Sequence, residues 1–195
     1  MTVISNILYW ISTGLLVPVI VLLIFFFIKS LILVGAFFGQ YMTMKKTTAA
    51  LYSRLAGVNA SNLDAFAAEA AQAGPSPVTQ AIAAIVAAKG DAAKTELLLS
   101  EYEIAADKNV ASSKVLTKLG PILGLMGTLI PMGPALVGLA TGDIASMAYN
   151  MQVAFATTVV GLVVSAIGFV TQQARERWAV KDITILEYIA DITEK

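Results

Sequence analysis

The 195-residue sequence contains no cysteine and no histidine. The first absence excludes disulfides and thiolate metal sites. The second removes the commonest metal ligand and the only side chain that titrates near neutral pH unperturbed. Charge is also scarce: 13% of residues are Asp, Glu, Lys or Arg, against about 25% in ordinary soluble domains. Thirteen basic and thirteen acidic residues cancel, so nothing points to nucleic acid or an acidic substrate. No nucleophile–base pair, metal cluster or cofactor loop can be assembled from what remains, so neither enzymatic activity nor a cofactor is expected. The glycine-rich stretch Gly120–Gly127 lacks the Gly-Lys-Ser/Thr ending of a phosphate loop and any preceding strand, so helix packing is the better reading.

What the sequence has is apolar length. Hydrophobic residues make up 57% of the chain, more than a soluble domain of this size can keep from water, and they fall in three blocks. No charged side chain occurs from Val3 to Ile28. Ile7–Ile28 is long enough for a helix rising about 1.5 Å per residue to cross a hydrocarbon core of about 30 Å. Tyr9 and Trp10 stand where interfacial aromatic anchors belong, and Pro18 is tolerable in a lipid-embedded helix. A cleaved signal peptide fits poorly, because there is no basic n-region, the run is too long and no small-residue cleavage site follows. The chain stays apolar from Leu31 to Met44, which predicts a helical extension that is tilted or lies against other subunits. The second block, Leu119–Ala140, is charge-free and glycine-rich. Pro121 is placed at its first turn, and Pro131 and Pro134 predict a kink or break towards its far end. After a short turn at Thr141-Gly142-Asp143, the third block runs from about Met147 to Val170.

Residues 47–118 read instead as soluble helices. Ser61, with Asp64 three positions on, makes a capping-box-like start. Gly74-Pro75-Ser76-Pro77 is a turn, with Ser76 as N-cap and Pro77 at the first helical position. Gly90-Asp91 is a second break, followed by a long amphipathic helix from Ala92 to Lys118. A polar helix after the third block reaches about Thr193. The expected fold is an all-α membrane protein with three transmembrane helices and a cytoplasmic helical hairpin extending the first and second spans. Its parts are 1–46, the first transmembrane helix with its cytoplasmic extension; 47–118, the cytoplasmic helical segment; 119–172, the transmembrane hairpin; and 173–195, the cytoplasmic C-terminal helix.

Basic residues near helix ends set the orientation. Lys29, Lys45, Lys46, Arg54, Lys114 and Lys118 lie in the first loop, and Arg175, Arg177 and Lys181 follow the third span, while the N-terminal six residues and the second turn have none. This puts the N-terminus outside, and the main loop and C-terminus inside. Asp143 is the one charged residue on the outer side. The Lys45-Lys46 pair reads first as a topology determinant and second as a contact for anionic lipid.

No span contains an ionisable carboxylate or amine, so a proton path through this chain would need a carboxylate from another protein. What the spans carry is hydroxyls and amides. Asn150 and Thr157 are seven residues apart, as are Thr158 and Ser165, so each pair shares a helical face; Thr128 lies in the second span. These residues could line an ion path. They could equally bond backbone carbonyls or join helices. Gly120-x-x-x-Gly124, with Gly127 and Gly161, permits close helix approach.

Two segments, Leu119-Gly-Pro-Ile-Leu-Gly-Leu-Met-Gly-Thr128 and Ala154-Phe-Ala-Thr-Thr-Val-Val-Gly-Leu162, resemble the MotA/TolQ/ExbB proton-channel family. The three spans and short loop look like its TolQ/ExbB branch. The resemblance implies a ring-shaped homopentamer in the inner (plasma) membrane, around a single-span TolR- or ExbD-like partner that carries an intramembrane aspartate. By motif match it implies that Thr128, Thr157 and Thr158 face that aspartate, and that proton flow is converted into mechanical work. Val153, beside Gln152, stands where ExbB-like members often have a glutamate, and Pro131-Met-Gly-Pro134 departs from the usual continuation of the second span. The alternatives are a non-conducting oligomeric scaffold and a MotA-like stator acting on a cytoplasmic rotor through Glu101, Glu103, Asp107 and Lys108.

Overall fold

The computed structural model describes residues 2–55, 57–59, 62–72, 74, 76–88 and 90–193, and it contains no strand among them. The helices are α1 (Thr2–Gly14), α2 (Leu16–Leu55), α3 (Leu63–Gln72), α4 (Pro77–Ala87), α5 (Ala92–Thr141) and α6 (Ile144–Thr193). Three regions are helical, long and apolar enough to cross a membrane: Val3–Met44, Ala92–Thr141 and Ile144–Thr193. The expected cap Ser61 and turn residue Pro75 lie outside the described residues, as do the side chains of Lys45 and Lys46.

Local chemistry explains the helix ends. Ser76 accepts from the Thr79 N–H while the Thr79 side chain accepts from the Ser76 N–H, and Pro77 opens α4. Its missing N–H is one the first turn would leave unused. Gly74, Gly90 and Gly142 have positive φ (123°, 80° and 75°) and terminate helices where only glycine turns without strain. Asp91 Oδ1 accepts from the Lys94 N–H, and Asp143 Oδ1 from the Ser146 N–H, so each caps the helix that follows it.

Prolines give a mixed outcome. The first apolar block is divided at Leu15 rather than continuous. Pro18 has no N–H for the Gly14 carbonyl four residues back, and its ring crowds that carbonyl. The Leu15 N–H turns to both Ile11 O and Ser12 O, each at 3.1 Å. In contrast, Pro121, Pro131 and Pro134 are all interior to the unbroken α5. Pro121 therefore does not open a helix, and the second span does not break at its far end. Each proline removes one backbone bond, which neighbouring groups within a membrane protein can replace.

The chain divides into two compact units, Met1–Gly35 with Ser112–Gln172, and Ala36–Ala111 with Gln173–Lys195. The second unit has a core of Phe66 and Ala70 from α3, Val78, Ile82 and Ile85 from α4, and Ile185, Leu186, Ile189 and Ala190 from α6. Its α2 portion carries Phe37, which stacks on Trp178 with ring centroids 5.3 Å apart and planes 10° apart. Part of the apolar extension of the first block is thus covered by α6 of the same chain.

The first unit has little interior. Val19, Leu23 and Leu123 form one small buried cluster, and Leu33, Leu116 and Val164 another. Phe25, Leu129, Phe155, Val159 and Leu162 are between 56% and 68% exposed, a surface that water would not support and that lipid or other chains would cover. The unit is held together by α5 lying directly against α6. A Cβ added at Gly120 would sit 2.7 Å from Gly161 O and 2.9 Å from Ser165 N, and one at Gly161 would sit 2.6 Å from Gly120 O. Gly168 makes a third such contact, 2.6 Å from Thr117 N.

Gly124 differs: a Cβ there would meet its nearest neighbours at 3.5–3.6 Å, ordinary contact distances. Gly120→Ala and Gly161→Ala are therefore expected to destabilise the purified protein by about 1–3 kcal/mol through overpacking. Gly124→Ala is expected to be neutral or slightly stabilising. Thermal unfolding of the three variants in detergent separates these outcomes.

Candidate functional site

The hydroxyls of the first unit and the Asn150 amide were the sequence candidates for a functional surface, and the structure brings only part of them together. Thr157 is 7% exposed and packs on α5 opposite Gly127, where an added Cβ would lie 2.5 Å from its Oγ1 and 2.6 Å from its Cβ. Its hydroxyl donates to Val153 O and Ala154 O of its own helix, both at 3.0 Å. Thr158 is half-buried beside Gly124 and donates to Ala154 O at 3.0 Å. Thr128, also half-buried, donates to Leu125 O at 2.7 Å.

The remaining two candidates sit to either side. Asn150 donates through Nδ2 to Ser146 O at 2.8 Å. It lies seven residues before Thr157, about 10 Å along the helix. Ser165 lies on the other side and reaches across to α5, donating to Thr117 O at 3.0 Å. The structure therefore groups Thr128, Thr157 and Thr158 near the Gly124–Gly127 stretch and leaves Asn150 and Ser165 apart.

The Ser165 bond has a specific origin. Thr117 is four residues before Pro121, so its carbonyl would ordinarily accept the N–H that proline lacks. Ser165 supplies the missing donor from the neighbouring helix. The pairing joins a helix-breaking residue to the hydroxyl that makes it tolerable, and it explains why α5 is unbroken there. Close by, Thr171 Oγ1 donates to the fully buried Ser113 Oγ at 3.1 Å, a second hydroxyl link between α5 and α6. Gly168 and Ser113 belong to this seam with Thr171 and were missed in the sequence reading; the spacing of seven between Gly161 and Gly168 was the available signal.

The second unit buries charge. Asp182 is 4% exposed and Arg175 is 7% exposed. The Tyr102 hydroxyl donates to Asp182 Oδ2 at 2.9 Å, and Arg175 Nη1 donates to Asn109 O at 2.9 Å. These residues fell within stretches read as an amphipathic helix, Ala92 to Lys118, and a polar helix after the third block. Glu101, Glu103, Asp107 and Lys108 are indeed exposed. No group of His, Cys, Asp and Glu that could hold a metal occurs among the described residues.

Ser165→Ala should leave the Thr117 carbonyl without a donor in an apolar setting and lower stability by about 1–3 kcal/mol. Pro121→Ala restores the backbone donor, so the double variant should recover most of that loss. Additive losses in thermal unfolding would show that the two residues are not coupled.

No curated protein and no solved structure matched the chain. The sequence model of the MotA/TolQ/ExbB proton channel family matches residues 63–187, well over half of the chain and inclusive of α3, α4, the Gly120–Thr128 segment and the Thr157–Thr158 pair. The chain belongs to the MotA/TolQ/ExbB proton channel family.

Proposed function

We propose that the chain forms the wall of a proton pathway, as a homopentamer in the plasma (inner) membrane, on the TolQ/ExbB pattern. A single-span partner resembling TolR or ExbD supplies an intramembrane aspartate, and proton flow through the assembly is converted into mechanical work rather than into a catalysed reaction. The N-terminus lies outside, with the main loop and C-terminus in the cytoplasm. The observation that carries this reading is the absence of charged side chains from Val3–Ile28, Leu119–Gly142 and Ile144–Ala174 in a chain of a proton-channel family. A proton carrier within the bilayer needs an ionisable group, most often a carboxylate, and these runs hold no carboxylate and no basic side chain.

The hydroxyls suit a wall. A threonine that donates to a backbone carbonyl keeps its oxygen lone pairs, so it can accept from water or from a protonated carboxyl. Thr158 and Thr128, bonded to Ala154 O and Leu125 O, are half-buried and retain that capacity. Thr157 is packed against Gly127, so replacing it disturbs the helix seam before it disturbs proton transfer.

Co-expressed with its partner and reconstituted into vesicles, the protein should take up protons. Thr158→Leu, or replacement of the partner aspartate by asparagine, should reduce uptake at least about tenfold while the complex still assembles, in line with loss of one positioned proton-transfer group. Unchanged flux in both variants would exclude the mechanism.

A further inference from the structure

In the second unit, Tyr102 and Asn109 are seven residues apart on α5, and Arg175 and Asp182 are seven apart on α6. The two bonds between them, Tyr102 to Asp182 and Arg175 to Asn109, form rungs separated by two helical turns, about 10 Å. Ala105, Ala106 and Ala179 lie between the rungs and fill little space. The result is a cavity of about 450 Å³ that also takes in Gln40 and Thr43 of α2 and is lined by both rungs.

Asp182 is poorly served in this arrangement. Tyr102 satisfies Oδ2, but Oδ1 is buried with no hydrogen-bond partner among the described residues. Arg175 is held two turns away by Asn109 and does not pair with it. Among the described residues, the titratable groups lining the cavity are Tyr102 from α5, and Arg175 and Asp182 from α6. An ionised carboxylate with a single donor is unfavourable when buried, whereas a neutral carboxyl or a hydrated carboxylate is tolerated.

We propose that Asp182 is a proton-operated latch between α5 and α6 within the second unit, closed and dry when the carboxyl is protonated and opened to water through the adjoining cavity when it ionises. Burial raises the carboxyl from its usual 3.8 to about 6, with the Tyr102 hydrogen bond acting in the opposite direction. The Tyr102 phenol is itself pushed up, by burial first and then by the negative charge of Asp182 and the hydrogen bond to it. Because the closed form binds this proton more tightly than the unfolded chain does, its stabilisation is complete below pH about 4 and is lost as pH rises through about 6. Acid therefore closes the latch and neutral pH loosens it.

Hydrogen–deuterium exchange of the full chain in nanodiscs tests this, with rates corrected for the intrinsic pH dependence of exchange. Segments around residues 98–110 and 175–187 should be on the order of tenfold better protected at pH 5.0 than at pH 7.5. Asp182→Asn should be equally protected at both. Tyr102→Phe removes the bond that favours the charged carboxylate, so the midpoint of protection should move to higher pH. A wild-type profile without pH dependence overturns the proposal, as does an Asp182→Asn profile that keeps it. If Asp182→Asn fails to fold, the Tyr102→Phe midpoint decides, and a midpoint that stays or falls overturns it.

Discussion

Between Gly120 and Gly161 the backbones of α5 and α6 meet with no side chain between them. Apolar burial contributes little to holding helices together in lipid, because acyl chains are as apolar as leucine. Packing and hydrogen bonds between backbones that approach closely must do so instead. Other features of the first unit follow from that approach. It brings Ser165 within reach of the Thr117 carbonyl, and it presses Thr157 onto Gly127 with its hydroxyl turned back to its own helix. Widening the contact by one methyl group would disturb both at once.

The seam also accounts for the different fates of the prolines. Pro18 and Pro121 each remove a donor from a carbonyl four residues back. At Pro121 a serine on the adjoining helix replaces it, and α5 continues. At Pro18 the nearby N–H groups rearrange around Leu15 and the helix divides. The difference lies in tertiary context rather than in the residue itself. Inspection of α5 alone predicts a kink or break at Pro131 and Pro134, where the helix does not break, and inspection of the first apolar block predicts a continuity that is absent.

Much of the architecture was nonetheless legible. Uncharged runs longer than a bilayer is thick leave few alternatives to helices, and turn chemistry at Ser76, Gly90 and Gly142 marked boundaries that the structure reproduces. The two glycine–threonine motifs were enough to indicate the family. The segment after the third block was misjudged. Arg175, Arg177 and Lys181 made it look solvated, yet Ile185, Leu186, Ile189 and Ala190 form the centre of the second unit's core. Their i, i+1, i+4, i+5 spacing is that of a buried helical stripe, but it is obscured by charges on the opposite face. Asp182 was illegible for a deeper reason: a carboxylate on an amphipathic helix belongs by default in water, and only the positions of Tyr102 and the neighbouring alanines reveal that it is enclosed.

An uncharged wall has a consequence for whatever carboxyl it surrounds. A fixed cation inside the bilayer would hold a partner aspartate ionised, and a second carboxylate would compete with it for the proton. At low dielectric either influence outweighs the modest free energy available from a proton gradient. Val153, together with hydroxyls that only donate and accept hydrogen bonds, imposes neither. Such a wall leaves the aspartate's affinity for protons to be set by its access to water on one side or the other, which is the condition for loading at one face and release at the opposite one. The lack of charged side chains in Val3–Ile28, Leu119–Gly142 and Ile144–Ala174 is thus compatible with proton transport in the proposed role.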